Sequence, residues 1–297
     1  MPVARNPGAT VAGRYQLARA LARGAATDVW VALDLATRDE VVLKLLDPRA
    51  SADEPGWVEN PVERFRLEAK ITAALGGRSR HVVALRDAGD DEGAPFLVLE
   101  YVRGQALDEI LAARGALPAA YVAAVVEQAA DALAAAHAIH VVHRDVKPSN
   151  LLVVEDAAGA PFVKVADFGL AKPTRASPLV AHAKDTSGAL VAGSPAYASP
   201  EQLYAMELDG RTDLWSLAVV AYEALTGVRP FGPAAGQGAR RVSGPELMVA
   251  IRTASPEPVT RRNAALPAAL DGWFARALAR EREARFATAG EMARALR

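Results

Sequence analysis

The chain has 297 residues, 51% of them hydrophobic, which is enough apolar material for a sizeable core in roughly two folding units at ~150 residues each. Thirty-four basic residues against 35 acidic ones leave a net charge of -1, so neither nucleic acid nor an anionic membrane is expected as the main partner. Cysteine is absent, which excludes disulfide frameworks, thiolate zinc sites and cysteine nucleophiles and suits a reducing compartment.

In chain order, residues 1–13 read as a tail without the apolar run of a signal peptide. Residues 14–21, 28–35 and 40–46 are short, β-branched or alternating segments between polar breaks, and are predicted strands. Residues 61–75 have apolar positions at helical spacing and stop at Gly76-Gly77. Two further strands are predicted at 81–87 and 95–101. The remainder is mostly helical: an Ala-rich run over 117–139 opening at Pro118, then 214–226 closed by Gly227 and Pro230, then 271–278 and 288–296. Strands first and helices later indicate an α+β arrangement in two lobes, with the boundary near Arg103-Gly104. Residues 172–192 and 232–244 read as loops. No internal repeat appears, and the longest apolar stretch carries Glu127, Gln128 and Asp131, so no transmembrane segment is expected. The default location is the cytoplasm. The helical pattern reaching Arg297 is open to continuation.

The strongest chemical signal is the run His143, Arg144, Asp145, Val146, Lys147, Pro148, Ser149, Asn150. An aspartate here can accept or orient a hydroxyl proton. A lysine two residues on can neutralise phosphate charge, and an asparagine five residues on can hold a metal ion. A charged helix-to-strand turn is the bland alternative, and the spacing argues against it. Downstream, Asp167-Phe168-Gly169 follows the strand-like residues 162–166, leaving room for a strand pair after Asp145. An aspartate at a strand end can ligate Mg²⁺. Lys44 sits in an otherwise apolar stretch and needs a partner, for which Glu68 on the next helix is the candidate. Taken alone, a solvated edge lysine and a helix-surface glutamate describe these two better. Residues 193–201 alone are a Pro-rich turn ahead of Asp213-Leu214-Trp215-Ser216.

In this order the motifs closely resemble one family, the eukaryotic-like protein kinases, and within it the bacterial serine/threonine kinases, over residues 14–297. The resemblance implies a bilobal protein kinase fold: a small β-rich N-lobe with one main helix (14–102), a larger helical C-lobe (103–297), and ATP in the cleft beneath the small lobe. By the same resemblance Asp145 is the catalytic base and Lys147 the γ-phosphate lysine of the serine/threonine pattern. Asn150 and Asp167 are the ligands of Mg²⁺, or of Mn²⁺ in its place, and Lys44 with Glu68 is the activating ion pair. Glu100 to Val102 form the hinge, preceded by Leu99. Val29 and Leu152 enclose the adenine, with Leu21, Gly24 and Val42 completing the ATP pocket. Ser199-Pro200-Glu201 matches the family's Ala-Pro-Glu, and Glu201 pairs with Arg285. Implied partners are ATP and proteins bearing Ser or Thr, and relatives also form homodimers through the small lobe.

The chain departs from the family at the phosphate-covering loop. Against G-x-G-x-x-G-x-V stands the run from Ala22 to Val29, which keeps only Gly24. Ala22 and Thr27 add Cβ atoms where backbone amides should approach phosphate. An adequate but stiffer loop is one reading. A pseudokinase scaffold with weakened nucleotide binding is the other, and the complete set Lys44, Asp145, Asn150 and Asp167 favours the enzyme. A small-molecule kinase of similar fold is disfavoured by the peptide platform at 193–201. Val42 replaces the family's alanine, and Ala218 a glycine. Arg144 calls for an anion, which the family supplies as activation-loop phosphate. Thr186 is the first candidate acceptor and Ser187 the second, while Thr174 and Ser177 read as ordinary loop polarity. Ser194 matches the residue beside the catalytic aspartate.

Overall fold

The computed structural model describes residues 6–24, 26–47, 60–174, 177, 179, 195–231 and 244–297. The chain divides into two compact units. One runs through Arg78 and resumes at Val83–Arg103; the other comprises Ser79–Val82 and Gly104–Arg297.

The first unit is an antiparallel sheet with one main helix. Its elements are β1 (Thr10–Val11), β2 (Tyr15–Arg23), β3 (Thr27–Asp34), β4 (Glu40–Leu46), α1 (Pro61–Leu75), β5 (Leu85–Asp91) and β6 (Ala94–Glu100), with sheet order β1-β2-β3-β4-β6-β5. Residues alternate faces along a strand, and directly paired residues share a face. Trp30, Ala32, Leu43, Leu45, Phe96 and Val98 therefore line one face and join Val11, Tyr15, Leu17 and Val41 in a buried core. Each large side chain there contributes about 1.5–3 kcal/mol by leaving water. The opposite face carries Val29, Val31, Val42, Lys44, Leu97 and Leu99. Helix α1 packs on that face through Phe65, against Leu46 and Leu97. The helix starts where Asn60 accepts a hydrogen bond from the Val62 amide, with Pro61 in its first turn, and stops at Gly76.

The second unit contains β7 (Gln105–Ala106), α2 (Leu107–Arg114), α3 (Ala119–His137), β8 (Val141–Val142), β9 (Leu151–Glu155), β10 (Pro161–Val165), β11 (Lys172–Pro173), α4 (Pro200–Leu203), α5 (Arg211–Thr226), α6 (Gly244–Thr253), α7 (Val259–Arg262), α8 (Ala269–Ala277) and α9 (Ala289–Arg294). Its sheets are small: β10-β9-β7 and β11-β8. Helix α5 is buried all round from Thr212 to Tyr222 and forms the centre of the unit. Helix α3 packs on α5, α9 and β10. It is long and apolar enough to cross a membrane, contrary to the expectation that no segment would be. Its burial against these neighbours makes it a core helix, and Glu127 and Asp131 fall on its more open sides.

Several boundaries differ from the sequence reading. The strand predicted over 81–87 begins only at Leu85. His81 and Val82 belong to the second unit. The Val165 amide donates to His81 O at 2.7 Å, His81 Nδ1 lies 2.7 Å from Val163 O, and Val82 bridges Val165 in parallel. Helix α5 starts at Arg211 rather than 214, because the polar Thr212 and Asp213 of its first turn point into the core, where the pattern demanded apolar residues. The tail contains β1, the loop at 172–192 opens with β11, and Gly244 begins α6. Apart from Thr174, Ser177 and Leu179, the rest of those two loops lies outside the described residues. Helices α2, α4, α6 and α7 have no counterpart in the sequence reading.

Candidate active site

The loop from His143 to Asn150 is held by one carboxylate of the central helix. Asp213, fully buried on α5, accepts from the His143 amide (2.9 Å) and His137 Nε2 (2.8 Å) on one oxygen and from the Arg144 amide (2.9 Å) on the other. Burial pushes its pKa up. The His137 hydrogen bond, the charges of His137 and His143 and the Arg144 amide outweigh that and hold it below the usual carboxylate range. Arg144 adopts a left-handed backbone with φ of 69°, which turns the chain into Asp145. His143 is buried, with Nε2 3.2 Å from Ala166 O and its ring 4.6 Å from that of Phe168.

Asp145 is buried among polar partners. Lys147 Nζ donates to Asp145 Oδ2 at 2.6 Å. Asn150 Nδ2 donates to Asp145 O at 2.8 Å and to Oδ2 at 3.2 Å. A short 3-10 turn, Pro148–Asn150, places Asn150 one turn beyond Lys147, and the Ala166 amide donates to Asn150 O at 2.9 Å. That last bond ties the loop to the end of β10, just before Asp167. Asp167 is also left-handed (φ 60°), and its Oδ1 accepts from the Gly169 amide at 3.3 Å.

The donor chemistry suits magnesium. With its nitrogen turned to Asp145, the Asn150 amide offers its oxygen on the other side, and Asp167 adds a carboxylate. Mg²⁺ takes hard oxygen donors, needs only one or two from protein, and keeps waters and phosphate oxygens for the rest. Among the described residues no group of three or more His, Asp or Glu side chains forms a protein-only cage.

In the first unit, Lys44 Nζ donates to both oxygens of Glu68, at 2.8 and 3.0 Å, with both side chains largely buried. The partnership comes from the packing of α1 on the Lys44 face of the sheet. Val29 and Leu97 pair with Lys44, and Leu99 pairs with Val42, so these candidates share that face. Leu21 is exposed near the end of β2. The Gly24 amide donates to Thr27 O at 2.9 Å and closes a tight turn, in which an added Cβ would sit 3.1 Å from that oxygen. Ala25, between them, lies outside the described residues. Glu100 is engaged locally: the Ala84 amide donates to its Oε1 (2.8 Å) and its own amide to Ala84 O (2.9 Å). Tyr101 OH accepts from Arg19, and Val102 follows outside any helix or strand.

Elsewhere in the second unit, Leu152 lies on β9, paired with Lys164 and Ala106. Arg285 meets Glu201 through two bonds of 2.7 and 2.9 Å. Thr212 Oγ1 donates to the same carboxylate. Burial pushes the Glu201 carboxyl up, and Arg285 more than reverses this. Ser177 is buried and donates to Ile139 O at 2.9 Å, while the Thr174 amide donates to His140 O. Thr186, Ser187 and Ser194 lie outside the described residues. Sequence reasoning gave no role to His137 or Gln202 and quoted Asp213 only within a motif. Gln202 Nε2 donates to Arg144 O at 2.8 Å. These partners lie 58 to 76 residues away from the groups they hold, beyond the reach of any spacing rule.

The β-rich unit with its Lys–Glu pair and the helical unit with its Asp–Lys–Asn loop define a phosphotransferase class of fold. The chain belongs to the protein kinase family: the Protein kinase domain profile matches residues 15–289. It is similar to the serine/threonine-protein kinase PknL of Mycobacterium tuberculosis, 41% identical over 218 residues, 73% of this chain and 50% of that protein. It is similar as well to the serine/threonine-protein kinase Pkn1 of Myxococcus xanthus, 34% identical over 284 residues, 96% of this chain and 38% of that protein. Among solved structures, the kinase domain of Mycobacterium tuberculosis PknI, crystallised as a double mutant, superposes with a TM-score of 0.69 at 26% identity, covering 99% of this chain and 98% of that one. The chain thus spans half or less of the length of these two relatives.

Proposed function

We propose that the chain is the catalytic domain of a serine/threonine protein kinase that transfers the γ-phosphoryl group of ATP to protein hydroxyls. The observation that carries the reading is Asp145 with Lys147 2.6 Å and Asn150 3.2 Å from the same carboxylate oxygen. In this reading the Asp145 carboxylate accepts the hydroxyl proton of the substrate, and the Lys147 ammonium offsets charge on the group in transfer. Asn150 and Asp167 would hold Mg²⁺, which screens phosphate charge when bound. Lys44, fixed by Glu68, anchors the phosphates. The candidates for adenine contact are, in the first unit, Val29, Val42, Leu99 and the backbone from Glu100 to Val102 and, in the second unit taken by itself, Leu152.

One test is incubation with radiolabelled ATP and magnesium, using a generic basic protein as acceptor. Asp145→Asn keeps the shape and removes the base, so transfer should fall by about three or more orders of magnitude. Equal incorporation by both proteins would refute the role. Peptide mapping of the same incubation reads autophosphorylation, with Thr186 as the expected acceptor and Ser187 the second.

A specific observation supports one competing reading. The Gly24 amide, which the loop should offer to phosphate, donates to Thr27 O. If that bond persists, nucleotide is gripped weakly and the domain acts as a scaffold. Calorimetric titration with Mg-ATP separates the two: saturable binding together with transfer excludes the scaffold.

A further inference from the structure

The peptide joining Arg144 to Asp145 is gripped from two directions, and only one grip belongs to the central helix. Arg144 has a left-handed backbone, φ 69°, that an arginine adopts only at a cost in free energy. Its amide donates to Asp213 Oδ1 at 2.9 Å. Its carbonyl accepts from Gln202 Nε2 at 2.8 Å. That carbonyl belongs to the peptide whose next residue is Asp145. The far side of the Gln202 amide is fixed too: Gln202 Oε1 accepts from the Ser199 amide at 3.0 Å, while the Gln202 amide donates to Ser199 Oγ at 3.3 Å. The reciprocal pair is the capping box of α4. It also fixes the orientation of the side-chain amide, since a flipped amide would set nitrogen against the Ser199 N–H and oxygen against the Arg144 carbonyl.

Helix α4 directly follows residues 195–199, whose Tyr197 carbonyl accepts from Ser216 Oγ of α5. The segment before α4 and the backbone before Asp145 are thus connected through a single side chain. We infer that Gln202 is a positioning residue for phosphoryl transfer: it holds the Arg144–Asp145 peptide in its left-handed turn and couples the setting of Asp145 to the segment leading into α4. The inference rests on Asp145 being the reacting base.

Gln202→Glu tests it selectively. A glutamate at this place in a capping box still accepts from the Ser199 amide, so the cap survives, but it has no donor for the Arg144 carbonyl. Losing one bond that holds the base in line should lower kcat roughly ten- to hundredfold, with the KM for ATP and the melting temperature nearly unchanged. Ser199→Ala is the converse control: it removes the acceptor from the cap and leaves the Gln202–Arg144 bond. It should lower the melting temperature while keeping kcat within about twofold of wild type. Should Gln202→Glu fail to fold, Gln202→Leu, of similar length and without the donor, gives the same reading of kcat. Wild-type kcat in a folded Gln202 variant, or a loss carried wholly by KM, overturns the inference. Absence of transfer by the wild type itself would instead overturn the assignment of Asp145.

Discussion

Arg285 is the one lysine or arginine buried among the described residues, and it is held by several polar contacts. Besides the two bonds to Glu201, its Nε donates to Ala279 O (2.7 Å) and Nη2 to Arg280 O (2.9 Å), and its guanidinium lies 4.8 Å from the Trp215 ring centroid. Both charges are out of water, so their desolvation is offset only while the geometry is complete. Arg285→Ala leaves the Glu201 carboxylate buried with Thr212 as its remaining side-chain partner. Urea denaturation should register a loss of about 3–5 kcal/mol, a large share of the stability of any domain. A loss under ~1 kcal/mol would mean that the pair is replaceable by water.

At the scale of elements, the chain places glycine where two strands approach too closely for a side chain. Gly104 leads into β7, and a Cβ built there would lie 2.2 Å from Val153 O on β9. A backbone oxygen cannot rotate away as a side chain can. Gly104→Ala must therefore separate β7 from β9 and disturb the strand that carries Leu152. Overpacking of this kind costs about 1–3 kcal/mol, and the backbone contact puts this case at the upper end. Thermal melting would show it, and an unchanged midpoint would contradict the close approach. Element boundaries were readable where a local rule acts: β4 and α1 fall at the predicted residues because Pro61 and Gly76 punctuate the helix and alternation marks the strand. They were misread at 81–87 and at the start of α5. There, long-range partners for His81 and Asp213 overrode the local pattern.

At the scale of the molecule, three buried carboxyls share one sign of response to acid. Asp34 is held low by the Arg14 guanidinium, against burial. Glu201 and Asp213 are pushed up by burial, and their cationic and amide partners more than reverse it. A carboxyl with a lowered pKa binds fewer protons folded than unfolded. Its contribution is complete above the unfolded value of about 4 and is lost as pH falls through the folded values. The melting temperature should therefore drop steeply between about pH 5 and about pH 2, and Asp34→Asn should flatten that slope. A melting temperature that rises on acidification would contradict the assigned directions.

The residue types and their order were enough to identify the family and the α+β class. Asp145, Lys147 and Asn150 lie within six residues, and Asp167 comes two residues after the end of β10. Within so short a span the few allowed backbone states leave little freedom, so spacing is already geometry. No such constraint reaches across the chain. The bond between Arg285 and Glu201 spans 84 residues, and Asp213 grips the amide of His143 across 70. Which side chains meet over such distances depends on how helices and strands bury their faces. The turn that aims Asp145 is therefore a property of the packed molecule, held by Asp213 and Gln202 from elements that no local pattern connects.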